Sequence, residues 1–443
     1  IADDSYVSSE AMGSGMAGNI SISGGEVEIV DGFLATSASD SGDAGNILIE
    51  SPRTVSVLGL AYISSDTWGD GNAGDISVAG SDVVVQGSSY ISTDTLGTGS
   101  AGSILLKGDQ VTIAENAFVT SDTYAEGQGG SVSLMGSELV RIADDSYVSS
   151  EAMGSGMAGN ISISGGEVEI ENGYLATSTI GPGDAGSILV ESPGMVSILG
   201  SAYVSTNTFD QGDAGDIRID AYSTRIIGGW IESGTTNVGR GGVVEVRGHD
   251  LVIDQGGVMT ADSTGVGGGF AGNILVNLGG SLTLLNDSRV STMTADADGG
   301  NIELNVSGYQ LLRDSSITTS VQGGTGNGGN LNMGSGAVVL GRSRIAADAY
   351  GGNGGNIMIY ANPLFSDAVS SITASSQFGL QGTIGIESPV VDVGTALADL
   401  PEGLLAEDLT PRECVIDAEE ASSFVVRGRS SSGAGCSSRE FSQ

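Results

Sequence analysis

The hydrophobic positions of this chain follow a short alternating pattern that repeats along almost its whole length. In residues 103–130, three runs alternate apolar and polar residues, at 104–108, 110–114 and 118–122. Glycine, asparagine and aspartate, which favour turns, separate these runs. The runs are too short for helices and lack a 3.6-residue period. Each repeat therefore predicts three short β-strands.

A four-residue phrase, consisting of a small residue, glycine, a polar residue and an aliphatic residue, marks each repeat. It occurs fourteen times in all, first as Ala17-Gly18-Asn19-Ile20 and then at intervals of 26 to 30 residues. A unit of this length cannot bury a hydrophobic face alone, so the units are expected to stack. The glycine of the phrase falls at Gly18, Gly45, Gly74, Gly102, Gly130, Gly159, Gly186, Gly215, Gly242, Gly272, Gly300, Gly329, Gly355 and Gly382.

Stacking pairs each strand with its equivalent one coil later, in parallel and about 4.8 Å away. The chain is therefore predicted to be all-β: a parallel β-helix, or solenoid, of about 14 three-stranded coils of about 28 residues. Such a rod is about 65 Å long. The aliphatic pairs Ile47/Ile49 and Ile76/Val78 are expected to point inward. The glycines are expected at corners that need positive φ angles.

The sequence also contains a duplication that is longer than one coil. Residues 1–29 recur without change at 142–170, an offset of five coils. The duplicated units are 1–141 and 142–282. A rod becomes longer by such copying, whereas a catalytic cleft rarely survives as two equal halves. Because the second copy begins within a coil, Ile1 is also expected to lie within one, so the chain is interpreted as part of a longer precursor.

The repeat fades near the C-terminus. A rod over 1–387 is therefore expected to be followed by an irregular C-terminal cap and tail over 388–443. This tail holds both cysteines of the chain, Cys414 and Cys436. A pair of cysteines in a loop-rich tail favours a disulfide formed in an oxidising compartment, and two free thiols are the alternative.

The composition excludes several classes of function. Acidic residues number 54 against 15 basic residues, a net charge of −39. This charge keeps a rod soluble and argues against nucleic acid, which needs a basic face. No stretch is apolar enough to span a bilayer.

The repeats resemble a known family. The phrase Ala-Gly-polar-Ile is followed by a strand, a turn and segments such as YISSDT at 62–67. These features are similar to secreted exoproteins of the filamentous haemagglutinin type, the β-helical adhesins of two-partner secretion. The segment SSFVVRGR at 422–429 resembles the end of cyanobacterial members, although Ser430 and Ser431 stand where glycines are common. The resemblance implies an extracellular adhesin on a Gram-negative cell surface.

One position of the third strand is aromatic in nine consecutive coils. Alternation places this position outward. The rings are predicted either to form a stacking ladder that stiffens the sheet or to bind surface carbohydrate or the side of another rod. After the ninth coil the column ends, with Val258, Arg289 and Ser316 at its position. The predicted binding residues are Tyr6, Phe33, Tyr62, Tyr90, Phe118, Tyr147, Tyr174, Tyr203 and Trp230.

Acidic residues follow the aromatic residue in several coils. Adjacent coils hold Asp66, Asp94 and Asp122, and two other coils hold Glu10 and Glu151 in the same region. Like charges on neighbouring strands repel, so either solvent screens them or cations bridge them. The glycine-rich segments lack the nine-residue period of calcium-binding β-rolls. Solvated acidic turns are therefore predicted, with no cofactor beyond weakly bound Ca²⁺.

Catalysis has one candidate group of residues. Some parallel β-helices cleave acidic polysaccharides with clustered carboxylates and arginines. The nearest match here is Arg240, Arg247, His249, Asp250 and Asp254. A single histidine beside an aspartate in a turn is typical of a solvated surface, and no serine triad, zinc spacing or phosphate loop occurs. The chain is therefore predicted not to be an enzyme.

These observations together predict an extracellular structural or adhesive rod. In one version it is part of an adhesin shaft whose aromatic column touches surface carbohydrate. In the other it is a filament subunit that binds copies of itself end-to-end or side-by-side. A polysaccharide-binding or polysaccharide-cleaving β-helix is the alternative.

Overall fold

A computed structural model describes residues 1–388 of the chain, with the exception of residues 3 and 266. The described residues form an all-β solenoid of parallel, stacked coils without a helix, which confirms the predicted fold. About 14 turns follow one another at intervals of about 28 residues. The predicted cap over 388–443 and the pairing of Cys414 with Cys436 lie outside the described residues, apart from residue 388 itself.

The third run of each coil contributes one strand to a continuous 14-stranded sheet, called sheet I here. Every strand pairs in parallel with the same strand of the neighbouring coils, residue for equivalent residue. Its strands are Tyr6–Ala11, Phe33–Ala38, Tyr62–Thr67, Tyr90–Ser92, Phe118–Thr120, Tyr147–Ser149, Tyr174–Ala176, Tyr203–Ser205, Trp230–Glu232, Val258–Thr260, Arg289–Ser291, Ser316–Thr318, Arg344–Ala346 and Ser371–Thr373.

The first and second runs form the remaining strands, called sheet II here. In several coils the two runs join into one bent strand, and the pairing shifts register at the bend, for example between Gly108 and Gln110. In those coils, the first two of the three predicted strands are therefore one strand with a bend between them. The strands are Ile20–Ser23, Val27–Val30, Ile47–Glu50, Thr54–Leu58, Ile76–Ala79, Asp82–Val85, Ile104–Ile113, Val132–Ala143, Ile161–Glu171, Ile188–Leu199, Ile217–Ile227, Val243–Asp254, Asn273–Leu278, Leu282–Leu285, Ile302–Arg313, Leu331–Gly341, Ile357–Ala361, Leu364–Ser366 and Ile384–Glu387.

The core is a single set of stacked aliphatic columns. Ile47, Ile49 and Ile76 are at most 1% exposed, which confirms the inward positions predicted from the alternation. Ile20 and Ile22 of the first coil are only partly buried. Burial of each such side chain stabilises the fold by about 1.5–3 kcal/mol. The core therefore holds every coil to its neighbours.

The phrase glycines serve a different purpose from the one predicted. None of the fourteen has a positive φ angle. A Cβ atom on Gly45 would instead lie closer than 3.0 Å to the carbonyl oxygen of Gly18 in the preceding coil. The same collision recurs at each later phrase glycine, up to Gly382 against Gly355. These positions need glycine because successive backbones approach too closely for any side chain.

Most of the positive φ angles occur at the corner before a strand of sheet I. Gly59, Gly87 and Gly200 adopt φ angles of 66° to 75° there. Other coils place Asp31 or Asn172 at this corner with φ angles of 51° and 53°. Asparagine and aspartate tolerate the left-handed region better than other non-glycine residues. The predicted role of glycine therefore applies mainly to this corner, and Gly267 and Gly324 are two further glycines with positive φ angles in the turns after sheet I.

The polar residue of the phrase joins consecutive coils. The Oδ1 atom of Asn19 accepts a hydrogen bond of 2.8 Å from the backbone N–H of Asn46. Asn46 in turn accepts from Asp75, and Asp75 accepts from Ser103, each at 2.8 Å. Each such bond satisfies an amide that faces along the rod axis. The phrase therefore encodes contacts between coils as well as the turn itself.

Two alanine substitutions within one coil test the close approach of the phrase glycines. Gly272→Ala places a methyl group against the carbonyl of Gly242, whereas the nearest atom to a Cβ at Gly279 is 3.8 Å away, in His249. We expect Gly272→Ala to lower the free energy of unfolding by about 2 kcal/mol or more, and Gly279→Ala to change it by about 0.5 kcal/mol or less. Urea unfolding followed by circular dichroism measures both. Equal stability of the two variants would contradict the assignment.

Candidate functional site

The outward face of sheet I carries the predicted aromatic column. Neighbouring members are register partners, beginning with Tyr6 opposite Phe33 and Phe33 opposite Tyr62. Ring centroids lie 4.5–6.5 Å apart in seven of the eight steps along the column, and the exception is the step from Tyr174 to Tyr203. The rings are half-buried to exposed, up to 58% for Tyr6. The outward placement is confirmed, and the rings do form a ladder.

A second column of large apolar side chains runs parallel to the first. It lies six residues further along each coil, where the chain leaves sheet I. Its amides also follow the one-coil register, since the N–H of Leu96 donates to the carbonyl of Thr67 at 2.9 Å. Trp68 is 68% exposed, and most of the others are about half exposed. This second column consists of Met12, Ser39, Trp68, Leu96, Tyr124, Met153, Ile180 and Phe209.

The second column loses its large apolar side chains one coil before the aromatic column does. Beyond Trp230, the aromatic column continues with Val258 and Arg289, and beyond Phe209 the second column continues with Thr236. The coils that follow keep the same fold with these residues. Large apolar side chains at these positions are therefore not required for folding. Tyr350 returns to the second-column position, but its coil has Arg344 in the aromatic column.

A groove lies between the two columns in the first three coils. It has a volume of about 520 Å³. Tyr6, Phe33 and Tyr62 form one wall, and Met12 and Trp68 form the other. Its floor consists of small and acidic residues two and four positions after each aromatic residue, namely Glu10, Ala35, Ser37, Ser64 and Asp66. The site thus combines flat apolar walls with a polar floor.

The acidic residues at the floor position, in the groove and in the coils beyond it, correct the prediction of solvated acidic turns. Glu10, Asp66, Asp94, Asp122 and Glu151 occupy one equivalent position, four residues after the aromatic residue. They were expected in solvated turns, but Asp122 is only 6% exposed and the side chains of Asp66 and Asp94 are mostly covered. Glu10, in the first coil, is exposed as predicted, whereas Asp66, Asp94 and Asp122 lie largely out of solvent. Burial of these carboxylates requires partners that compensate for lost water.

Each buried carboxylate is bonded to the next coil. Asp66 Oδ1 accepts the N–H of Asp94 at 2.9 Å and the hydroxyl of Ser92 at 3.0 Å. Asp122 Oδ1 likewise accepts the N–H of Glu151 at 2.7 Å and the hydroxyl of Ser149 at 3.0 Å. The carboxylates therefore hold neighbouring coils together.

Tyrosine hydroxyls from the wall reach over the floor. The Tyr62 hydroxyl donates to Asp66 at 3.1 Å, and the Tyr6 hydroxyl donates to Glu10 at 2.8 Å. The Tyr203 hydroxyl instead donates to Glu232 of the next coil. These contacts fix the orientation of the rings relative to the groove.

The floor carboxyls are harder to ionise than ordinary aspartates. Burial, together with the charge of Glu151, raises the pKa of Asp122 to about 7. Burial and the charges of Asp122 and Asp66 raise the pKa of Asp94 well above its usual range. Burial also raises the pKa of Asp66. The cause in each case is that removal from water disfavours the charged form.

Protonation is one way to relieve the repulsion between stacked carboxylates, and a bound cation is another. Among the residues described, no group of three or more histidine, cysteine, aspartate or glutamate side chains is arranged to hold a metal ion. Asp66, Asp94 and Asp122 lie one above the other, and each already accepts an amide and a hydroxyl. Weak calcium binding stays a prediction that this geometry does not favour.

The candidate catalytic residues are engaged separately. His249 stacks on Tyr222, with centroids 5.1 Å apart, and its Nδ1 lies 2.8 Å from Asp250. Arg247 pairs with Glu245 at 2.7 Å. In the part of the chain that the structure describes, His249 with Asp250 is the one contact between two of the five candidates.

Two further candidates have local partners as well. The Arg240 guanidinium lies over the ring of Phe270, 5.7 Å from its centroid. Asp254 accepts the side-chain amide of Asn286 at 2.7 Å. The five residues therefore lie close together in the chain, within residues 240–254, but most of them are bonded to different partners on this and neighbouring coils.

Sequence reasoning found the first column but missed the second column and the groove. The aromatic column was visible because one residue class recurs at one position. The second column mixes methionine, serine, tryptophan, leucine and isoleucine, so no single residue type marks it. The missed signal was spacing, because each member follows an aromatic-column residue by six positions.

Comparison with known proteins found no matching family model, no similar curated protein and no similar solved structure. The resemblance to filamentous haemagglutinin-type exoproteins therefore stays a prediction from the repeat phrase and the tail. Among the described residues, there is no helix that is long and apolar enough to cross a membrane.

The raised pKa of Asp122 predicts a dependence of stability on pH. A carboxyl whose pKa is raised by folding contributes stability at pH below its unfolded value near 4, and this contribution is lost as pH rises through about 7. Asp122→Asn keeps an oxygen acceptor for Glu151 and Ser149 but carries no charge. We expect its melting temperature to exceed that of the parent by roughly 2 °C or more at pH 8, and the difference to shrink at pH 4.

Thermal unfolding at a series of pH values measures this difference, and an aspartate outside the column provides the control. Asp82→Asn, on the outer side of sheet II, should show no such trend. If Asp122→Asn melts at a lower temperature than the parent at pH 8, the raised pKa of Asp122 is contradicted.

Proposed function

We propose that this chain is an extracellular structural and adhesive β-solenoid that forms, or belongs to, a cell-surface filament or adhesin shaft. The observation that carries the proposal is the unbroken register of sheet I, in which fourteen strands stack coil upon coil. Such a stack makes a stiff rod, because every coil is bonded to its neighbours along the axis. A rod suits the task of holding a contact surface away from an anchor.

The uneven distribution of apolar residues supports an adhesive role. The outer face of sheet I is lined by large apolar side chains over its first coils and by residues such as Arg289 and Ser316 further along. An exposed apolar strip of this length is uncommon on a protein that makes no contacts. Tyrosine and tryptophan are favoured at binding surfaces because one part of the ring is apolar and another part is polar.

The repeat phrase and the tail motif support the location. Both resemble exoproteins of two-partner secretion, which implies the surface of a Gram-negative bacterium. The partners of such a rod are copies of itself, end-to-end or side-by-side, and surface carbohydrate. The separate engagement of His249, Asp250 and Arg240 supports a role that is not enzymatic.

Removing three rings of the aromatic column tests the adhesive role. Serine already stands at this position in a later coil, at Ser316, so the triple change Tyr62→Ser, Tyr90→Ser and Phe118→Ser should fold. We expect rods of unchanged length, but at least about tenfold weaker attachment to cell-surface material or bundling with other rods. Negative-stain electron microscopy measures length and bundling, and a surface-capture assay measures attachment.

The matched control changes three exposed tyrosines on sheet II. Tyr222, Tyr309 and Tyr360 are 61%, 48% and 46% exposed, and their conversion to serine should leave attachment unchanged. Antibody labelling of intact source cells tests the location. Labelling confined to the cell interior, or globular particles in place of rods, would contradict the proposal.

A further inference from the structure

The groove on sheet I has properties that the rod architecture alone does not require. Its two walls arise from different parts of the coil, yet both end within one coil of each other, after Phe209 and Trp230. A stiffening ladder explains the aromatic column, because its rings touch one another. It does not explain the second column, whose members include Trp68 at 68% exposed and Met12 at 80%. A shared end point indicates that the two walls serve one ligand.

The floor between the walls offers hydrogen-bonding groups at regular intervals. The position four residues after the aromatic residue is polar in all three coils of the groove, as Glu10, Ser37 and Asp66. A polar side chain therefore recurs about every 4.8 Å along the groove. A ligand that uses such a floor must itself repeat, and must lie along the axis.

The charge of the groove restricts what that ligand is. Glu10 and Asp66 line the open part of the floor, and the whole chain has a net charge of −39. A polyanion is repelled by such a surface. A second copy of the same face would bring its own row of carboxylates against this one, without any cation in the groove to pair with them.

The two carboxyls of the groove, Glu10 and Asp66, are also already engaged in hydrogen bonds. The oxygens of Asp66 accept hydrogen bonds from Ser92 and Asp94 and from Tyr62, and burial raises the pKa of Asp66. A cationic polymer therefore meets carboxyls whose hydrogen-bonding capacity is partly used. An uncharged ligand with many hydroxyl groups can both donate to and accept from such a floor.

Flat ring walls and a hydroxyl-bonding floor suit sugars. A pyranose ring has apolar C–H faces that pack on aromatic side chains and an equatorial rim of hydroxyl groups. We propose that the groove bounded by Tyr6, Phe33 and Tyr62 on one side and Met12 and Trp68 on the other binds an uncharged linear polysaccharide along the rod axis. This inference rests on the proposed adhesive function and identifies the ligand class of its contact surface.

The two tryptophans of the chain provide the reporter. Trp68 lies in the second column and Trp230 ends the aromatic column. In a Trp230→Phe background, Trp68 is the only tryptophan. Titration of this full-length variant with neutral hexasaccharides of β-1,4-, β-1,3- and α-1,4-linked glucose should shift the emission of Trp68 with at least one of them. Disaccharides of the same linkage should bind more weakly, because they span fewer coils.

Calorimetry of the unmodified chain with the same sugars gives the affinity, and two variants give the location. Trp68→Ser reproduces Ser39 of the preceding coil and should weaken binding about tenfold. Tyr360→Ser, on an exposed site of sheet II, should leave the affinity unchanged. The two variants should melt at similar temperatures.

Several results would overturn the inference. Absence of binding to every neutral hexasaccharide would do so, as would equal losses in Trp68→Ser and Tyr360→Ser. Binding only of a hexamer of glucosamine would assign the groove to cations, and binding only of oligogalacturonate would contradict the charge argument.

Sedimentation velocity tests whether the groove instead binds a second copy of the chain. A dimer of the parent chain that disappears in Trp68→Ser would assign the face to a second copy. The sugar test does not depend on the proposed location. Sugar binding without surface labelling would refute the cell-surface role and support the sugar-binding groove. Surface-labelled rods that bind no sugar would support the cell-surface role and refute the sugar-binding groove.

Discussion

The structure depends on one constraint: every residue must pair with its equivalent one coil away, at the spacing of a parallel sheet. Because that spacing is about 4.8 Å, each side chain lies next to the side chain at the equivalent position of the neighbouring coil. The residue at each position must therefore tolerate that neighbour. Aliphatic residues satisfy it by packing inside the rod. Asn19 and Asn46 satisfy it by donating and accepting between coils. Glycine satisfies it where two backbones touch.

The same constraint explains what the sequence predicted well. A period of about 28 residues with two-residue alternation determines which positions face inward and which coils are neighbours. The burial of Ile47 and the outward position of Tyr62 both follow from these two periods. Neither requires knowledge of distances in three dimensions.

Features that depend on distance or on side-chain orientation were not predictable in this way. The phrase glycines seemed to need positive φ angles, but their role depends on how closely Gly18 approaches Gly45. The carboxylate of Asp66 seemed to face solvent because its pattern is that of an outward residue. It is instead bonded to the Tyr62 hydroxyl and to the next coil, contacts that the spacing of residues does not encode. The second wall was hidden by its mixed residue types.

The direction of the hydrogen bonds has a mechanical consequence. In this solenoid the bonds between coils run along the rod axis, so tension on the two ends loads each interface between coils in series. The weakest interface should open first and release one coil of about 28 residues, or up to about 95 Å of extended chain, while the others hold. A tether built in this way lengthens in steps under flow and keeps most of its surface folded while it does so.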